Sequence, residues 1–310
     1  RGQPGSMDRL IALANDRDRP WIARAAAVET LGMQLPTQES MAAIERSLED
    51  PDPGVRGEGL RTLLNFPENQ RAAAIPLLSD PVKSVRAAAA RTVAVAVNRL
   101  DEVGKAAFEE ARKDLYDRQS AIFDRASGHM DLALFHTDLE ELEKAEAAYR
   151  KAIAVEPEFV PTRVNLAELL FSQNRPKEAE QVFLDAVDAA ILPENKGLAR
   201  DALARFLIRM KRYDEGVEEL RLATKLMPRH AETQYFYGVA LNSLGRFEEA
   251  LPFLKKAIEL DSYNVEYLTG IAAILRDAGR NAEALRFATE ALKLQPENPQ
   301  LQNLVRSLGG

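Results

Sequence analysis

Small and apolar residues recur along the second half of the chain at a fixed interval. Leu244 to Ala257 reads LGRFEEALPFLKKA, and thirty-four residues later Ala278 to Ala291 reads AGRNAEALRFATEA, with a glycine, an arginine and alanines in register. The apolar positions follow a helical period, and no region shows the period-two alternation of a half-buried strand. Blocks begun at Ala126, Val160, Gly197, Ala231 and Val265 place a small residue at the eighth position every time: Ala133, Ala167, Ala204, Gly238 and Ala272. The twentieth position holds Ala145, Ala179, Gly216, Ala250 and Ala284, and the twenty-seventh Ala152, Ala186, Ala223, Ala257 and Ala291. Such slots are expected where two helices touch too closely for a larger side chain. The phrase therefore specifies packing, and function must be sought on the faces it leaves exposed.

This period and these small slots resemble the tetratricopeptide repeat, two antiparallel helices per unit. Pro157, Pro228 and Pro296 stand where the second helix should end, with Ile191 and Ser262 in the other two units. The extra residues around Pro193 to Lys196 predict a longer loop between the second and third units. NPQLQNLVRSL, after Pro296, reads as a closing helix of the kind that keeps such arrays soluble.

A different phrase fills the first part. DRPWIARAAAVETL begins at Asp18, DPDPGVRGEGLRTL at Asp50 and DPVKSVRAAAARTV at Asp80. Each aspartate is followed six residues on by Arg24, Arg56 or Arg86, and each arginine six further on by Thr30, Thr62 or Thr92. This is similar to a short HEAT repeat, again a helix pair. Asp80–Pro81 suits a helix start, with the carboxylate as cap and proline in the first turn. The arginines read either as an anion-binding row or as a structural ladder with aspartates of neighbouring units. The ladder is preferred because every arginine comes with an aspartate and a buried charge needs a partner. Between the arrays, Phe108, Ala111, Leu115 and Ile122 form a helical stripe, so residues 98–125 are expected to be a connecting helix and not a flexible linker.

The fold class expected is all-α: a right-handed α-solenoid of HEAT-like helix pairs followed by five tetratricopeptide units and a capping helix. The domains are HEAT-like repeats over 1–97, a connecting helix over 98–125, units over 126–159, 160–196, 197–230, 231–264 and 265–298, and the cap over 299–310. The first residue is Arg1, and RGQPGSMDRLIALAN already reads as a repeat helix, so a piece of a longer chain is expected.

Composition removes several kinds of chemistry. The 310 residues contain no cysteine, which excludes disulfides, thiolate metal sites and thiol nucleophiles within them. The net charge of −7 argues against a non-specific nucleic-acid surface, and no stretch is apolar enough for membrane insertion. Neither a phosphate loop nor a nucleophile elbow occurs, so an enzyme is not expected. His129 and His136, seven apart on one helix face, could be metal or haem ligands, but they fill packing positions and lack a third ligand; with His230 they complete the histidines, and no metal is expected.

A binding scaffold is the expectation that remains, and the partner expected is a protein or peptide. By the tetratricopeptide resemblance, the first helix of each pair lines a groove. The residues this places there are Arg205 and Arg209, Tyr235 and Asn242, and Arg276, a basic strip with an aromatic anchor suited to a carboxylate or acidic peptide. The alternative is that the arginines pair with Asp201 and Asp277 nearby. The lysine–asparagine clamp that reads chaperone tails is not matched: Met130, Leu134, Leu198 and Ala202 occupy four of its positions, and only Asn165 agrees.

The succession of phrases, from LEDPDPGVRGEGLRTLLNFP through DRASGHMDLALFHTDLEELEKAEAAYRKAIAV to AAILRDAGRNAEAL, resembles the C-terminal part of bacterial multihaem c-type cytochromes with HEAT and tetratricopeptide repeats. That resemblance implies a scaffold portion of an exported electron-transfer protein, periplasmic or extracellular, docking a haem domain of the same chain or a partner protein. The family's C-x-x-C-H motif is absent, so c-type haem would belong only to a missing N-terminal part. The alternative is a free-standing cytoplasmic adaptor binding a peptide in its groove.

Overall fold

The computed structural model describes residues 6–33, 37–120 and 125–309, and every element among them is helical. The chain divides by its contacts into two compact units, Arg1–Glu156 and Pro157–Gly310.

In the first unit, α1 (Ser6–Asn15), α2 (Trp21–Gly32), α3 (Gln38–Ser47) and α4 (Pro53–Leu63) make two helix pairs. The third pair is irregular: α5 (Glu68–Arg71) runs into a 3₁₀ stretch, Ala72–Ser79, before α6 (Lys83–Val93). Pro76 lies inside that stretch; it has no N–H to donate, which disfavours a regular α-helix there. A second 3₁₀ stretch, Ala94–Arg99, leads to α7 (Glu102–Ser120), then α8 (Ala126–Asp138) and α9 (Leu142–Val155). The expected connecting helix is thus shorter than 98–125, and Ile122 lies outside the described residues. One core runs from Ala14 through Leu60, Ala89 and Phe108 to Phe135. Phe135 on α8 stacks against Phe108 on α7 at 6.2 Å, so the first tetratricopeptide pair is packed into the same unit as the HEAT pairs.

Arginine side chains tie successive pairs of this unit together. Arg24 donates to both carboxylate oxygens of Asp50, at 3.1 and 2.8 Å, and Arg56 does the same to Asp80, at 2.8 and 3.0 Å. Arg86 reaches Asp114 on α7 at 2.6 Å. Each guanidinium also holds a carbonyl of its own turn, as Arg56 does at Asp50 and Arg86 at Asp80, both at 2.8 Å. Two expectations need correcting. Asp18 is exposed and is not a rung: it opens the first phrase, so no phrase arginine stands before it to reach back. Asp80 is not the cap of α6: its carboxylate accepts from the N–H of Val82, the residue before the helix, at 2.8 Å. At α4 the capping carboxylate is Asp52, with Pro53 in the first turn, and Asp50 holds the Asp52 N–H.

The second unit stacks four helix pairs and a final helix. They are α10 (Val160–Ser172) with α11 (Pro176–Ala189), α12 (Pro193–Arg209) with α13 (Tyr213–Leu226), α14 (Ala231–Ser243) with α15 (Phe247–Leu260), α16 (Val265–Asp277) with α17 (Asn281–Leu294), and α18 (Pro299–Gly309). The loop expected near Pro193 to Lys196 is instead an extra turn of α12. Pro193 sits at its first position, where no N–H is needed, and Glu194 favours the positive helix start. The alanines of the three small slots are fully buried throughout both units. At the two glycines the fit is tighter still: a Cβ on Gly238 would stand 2.6 Å from Leu254, and one on Gly216 2.7 Å from Ile208. Each hairpin turns through one residue of positive φ: Glu140, Asn174, Lys211, Gly245 and Gly279. The N–H after each of these returns to a carbonyl five residues back, as Arg246 does to Leu241 at 3.0 Å, which closes the first helix. Finally α18 lays Leu301 into the core, with Leu304, Val305 and Leu308 partly covered beside it.

Candidate functional site

The first helices of the second unit, α10, α12, α14 and α16, are joined side by side through their own side chains. Arg209 on α12 pairs with Glu168 on α10 at 2.6 Å, and Arg205 on α12 with Glu232 on α14 at 3.0 Å. Tyr235 on α14 stacks on Tyr267 of α16 with ring centroids 4.6 Å apart.

Arg205 stands at the centre of the strip. Its Nε donates to Asp201, one turn earlier, at 2.6 Å, and its guanidinium lies over the Phe236 ring at 3.7 Å. Asp201 is buried and also accepts from the Thr233 hydroxyl at 2.9 Å, so α12 and α14 share one polar network. Burial works against the charge of Arg205, but Asp201 and Glu232 together outweigh it and raise its pKa. Arg209 is built the same way, over the Phe171 ring at 4.8 Å. Both arginine side chains stay open to solvent, 35% and 43% exposed. Each is a cation held over an aromatic ring, paired with a carboxylate and still partly open to water. Arg276 is exposed and bonds the adjacent Asp277 at 2.8 Å, while Asn242 lies half-buried near the end of α14.

Tyr235 is the correction. It is only 8% exposed and cannot be an accessible anchor. Its hydroxyl fills the space left by Gly270 on α16, where a Cβ would lie 2.0 Å away. The ring belongs to helix packing, and burial raises its pKa accordingly. The aromatic surface of the strip comes from Phe171 and Phe236 instead. Both stand at groove positions by the same repeat count that selected Arg205, so their signal was present in the sequence. Glu168 and Glu232 were likewise missed. The strip is therefore balanced in charge, and a ligand carboxylate would have to displace acids already in place.

The histidines have other work. His136 is buried with Nδ1 2.6 Å from Glu141; burial lowers its pKa, so the ring is neutral near pH 7 and donates Nδ1–H to the carboxylate. Glu141 also receives Arg112 and Lys144. Burial alone would raise its pKa, but these partners hold it at about 2. His230 caps α14, accepting from the Thr233 N–H, and His129 lies half-buried on α8. Among the described residues no three histidine, aspartate or glutamate side chains gather as a metal site would require, and no helix is long and apolar enough to cross a membrane.

Comparison with known proteins agrees with the architecture. A model of HEAT repeats matches residues 7–94, and models of the tetratricopeptide repeat match 137–190, 202–265 and 241–308. No curated protein matches the sequence. Among solved structures, yeast Tom70 is similar over 99% of this chain and 65% of its own, at 16% identity and a TM-score of 0.59. PilW, described as a type IV pilus biogenesis factor, is similar over 71% of this chain and 98% of its own, at 15% identity and 0.52. Pseudomonas aeruginosa pilF gives 72% and 99%, at 18% identity and 0.50. At these identities the likeness shows the fold alone, and nothing among the matches supports the resemblance to multihaem cytochromes. The chain carries HEAT repeats followed by tetratricopeptide repeats.

Proposed function

We propose that the chain is a non-catalytic interaction scaffold that holds a protein or peptide on the first-helix face of its second unit. The observation that carries this reading is the pair Arg205–Phe236 and Arg209–Phe171. Two half-exposed guanidinium groups lie on rings on neighbouring helices, an arrangement that offers apolar area and charge-assisted hydrogen bonds together. Arg276 extends the charge, and the cation-bearing side suits an acidic segment that exchanges with Glu168 and Glu232. Affinity purification with the full chain tests it. Arg205→Glu combined with Arg276→Glu should lose the captured partner with the array still folded at a lowered melting point, since the buried Asp201 loses its pair, and added salt should weaken capture. If Glu218→Lys with Glu248→Lys, on α13 and α15, abolishes capture and the first pair does not, the reading is wrong.

The order of the repeats is also the sole support for a setting beside an exported haem domain. A C-x-x-C-H motif encoded upstream in the same gene would favour that setting. An initiating methionine immediately upstream would favour the free-standing adaptor.

A further inference from the structure

The first unit carries a cleft that the reading above does not use. Helices α2, α4 and α6 lie parallel. At their starts a Cβ on Gly54 would stand 2.6 Å from the Trp21 ring, and at their ends one on Gly32 would stand 2.4 Å from Thr62. The Thr92 hydroxyl of α6 donates to the Leu60 carbonyl of α4 at 3.0 Å. A cleft of about 510 Å³ crosses these helices. One rim is apolar: Trp21, the only tryptophan in the chain, and Ile22 are 45% and 64% exposed. Small residues line much of the rest: Ala26 is exposed, and a Cβ on Gly57 would meet nothing within 4 Å.

Charged side chains of both signs line the cleft as well: Glu29 on α2 and Glu58 on α4, and Arg61 on α4, Arg91 on α6 and Arg118 on α7. Arg61 is matched by Glu58 at 2.6 Å and Arg91 by Asp138. Glu29 and Arg118 have no ion pair among the described residues and belong to the first and the last of the helices that line the cleft. Burial lifts the Glu58 pKa against the opposing charge of Arg61, and the charge of Glu29 adds to the rise, so a further cation beside Glu29 would relieve both carboxylates. Three helix-to-helix steps, α2 to α4 to α6 to α7, of 8–10 Å each allow a span of up to roughly 25 Å. Eight extended residues span that distance, and a small molecule does not.

We infer that this cleft binds a polypeptide segment that lays a bulky apolar side chain on Trp21 and Ile22, a lysine or arginine at Glu29, and an aspartate or glutamate at Arg118. The small residues of the lining let the bound backbone approach the helices closely. This site does not rest on the binding proposed for the second unit.

A phage-displayed library of random nine-residue peptides, panned on the full chain, supplies the probe, and Trp21 emission reports occupancy. Selected peptides should carry one bulky apolar, one basic and one acidic residue, shift the emission to the blue, and bind the Arg205→Glu, Arg276→Glu variant unchanged. Trp21→Ser, Glu29→Lys and Arg118→Glu, all exposed positions, should each weaken binding at least tenfold. Replacing the peptide's basic residue with glutamate should restore binding to Glu29→Lys. Peptides indifferent to these three substitutions would overturn the inference. So would a blue shift that grows with protein concentration alone, since the occupant would then be a second copy of the chain. A library that yields no peptide sensitive to Trp21→Ser would overturn it as well.

Discussion

Glu140, Asn174, Lys211, Gly245 and Gly279 all adopt φ between 59° and 76°, yet two of the five are glycine. Left-handed backbone costs a residue with a Cβ about 1 kcal/mol or more, and glycine escapes that cost at the expense of unfolded-state entropy. Lys211 is exposed, so replacing it removes no packing. Lys211→Gly is expected to stabilise the chain by about 0.5 kcal/mol, and Gly245→Ala to destabilise it by about 1 kcal/mol, read from denaturant midpoints. Equal effects of both substitutions would mean that the turns are set by tertiary packing and not by backbone preference. The ladder arginines are a different case at the same scale. Arg24 and Arg56 have their donors divided between a carboxylate and a turn carbonyl, which leaves little for a free anion.

At the scale of helix pairs, the first tetratricopeptide pair is charge-inverted. In the other four, the residue after the turn is Arg175, Arg212, Arg246 or Arg280, bonded to a glutamate three residues on. In α8–α9 the same position holds Glu141, bonded to Lys144 and drawn to Arg112 of α7, while Asp138 receives Arg71 and Arg91. This pair is therefore fastened to the HEAT pairs by Asp138 and by Glu141, whose place is taken by an arginine in the other four. Glu141 is held at about 2, so the stability from its charged form is complete above the ordinary 4.5 and is lost as the pH falls toward 2. His136, with its pKa lowered by burial, adds loss in the same direction below 6.5. Melting of the wild type should fall steeply from pH 7 to pH 3. Glu141→Gln should melt about 5 °C lower at pH 7 and show a flatter acid dependence. Parallel pH profiles for the two proteins would contradict this fastening.

For the whole molecule, what could be read in the sequence depended on how many residues fix each feature. The helix pairs were legible because each close crossing demands a small residue at one position, and fifteen such positions repeat in register. The ladder was legible in part: Asp50 and Asp80 lie within the repeated phrase, but Asp114, which takes Arg86, lies in α7 outside it. Tyr235 was misjudged because its burial is decided by Gly270 on another helix, thirty-five residues away. The break between units after Glu156 was equally hidden, since it depends on contacts of α8 and α9 and not on their repeat phrase. Groove charge was misread for the same reason, because Glu168 and Glu232 reach the arginines from neighbouring helices.

Partner binding on the first-helix face of the second unit is the claim on which the functional reading stands, and a hydrogen-exchange footprint of the full chain with its captured partner tests it most directly. Slowed exchange should appear in α12, α14 and the end of α10, around Phe171, Arg205, Arg209 and Phe236, and be absent from α13 and α15. Protection confined to α11, α13, α15 and α17 would contradict the account.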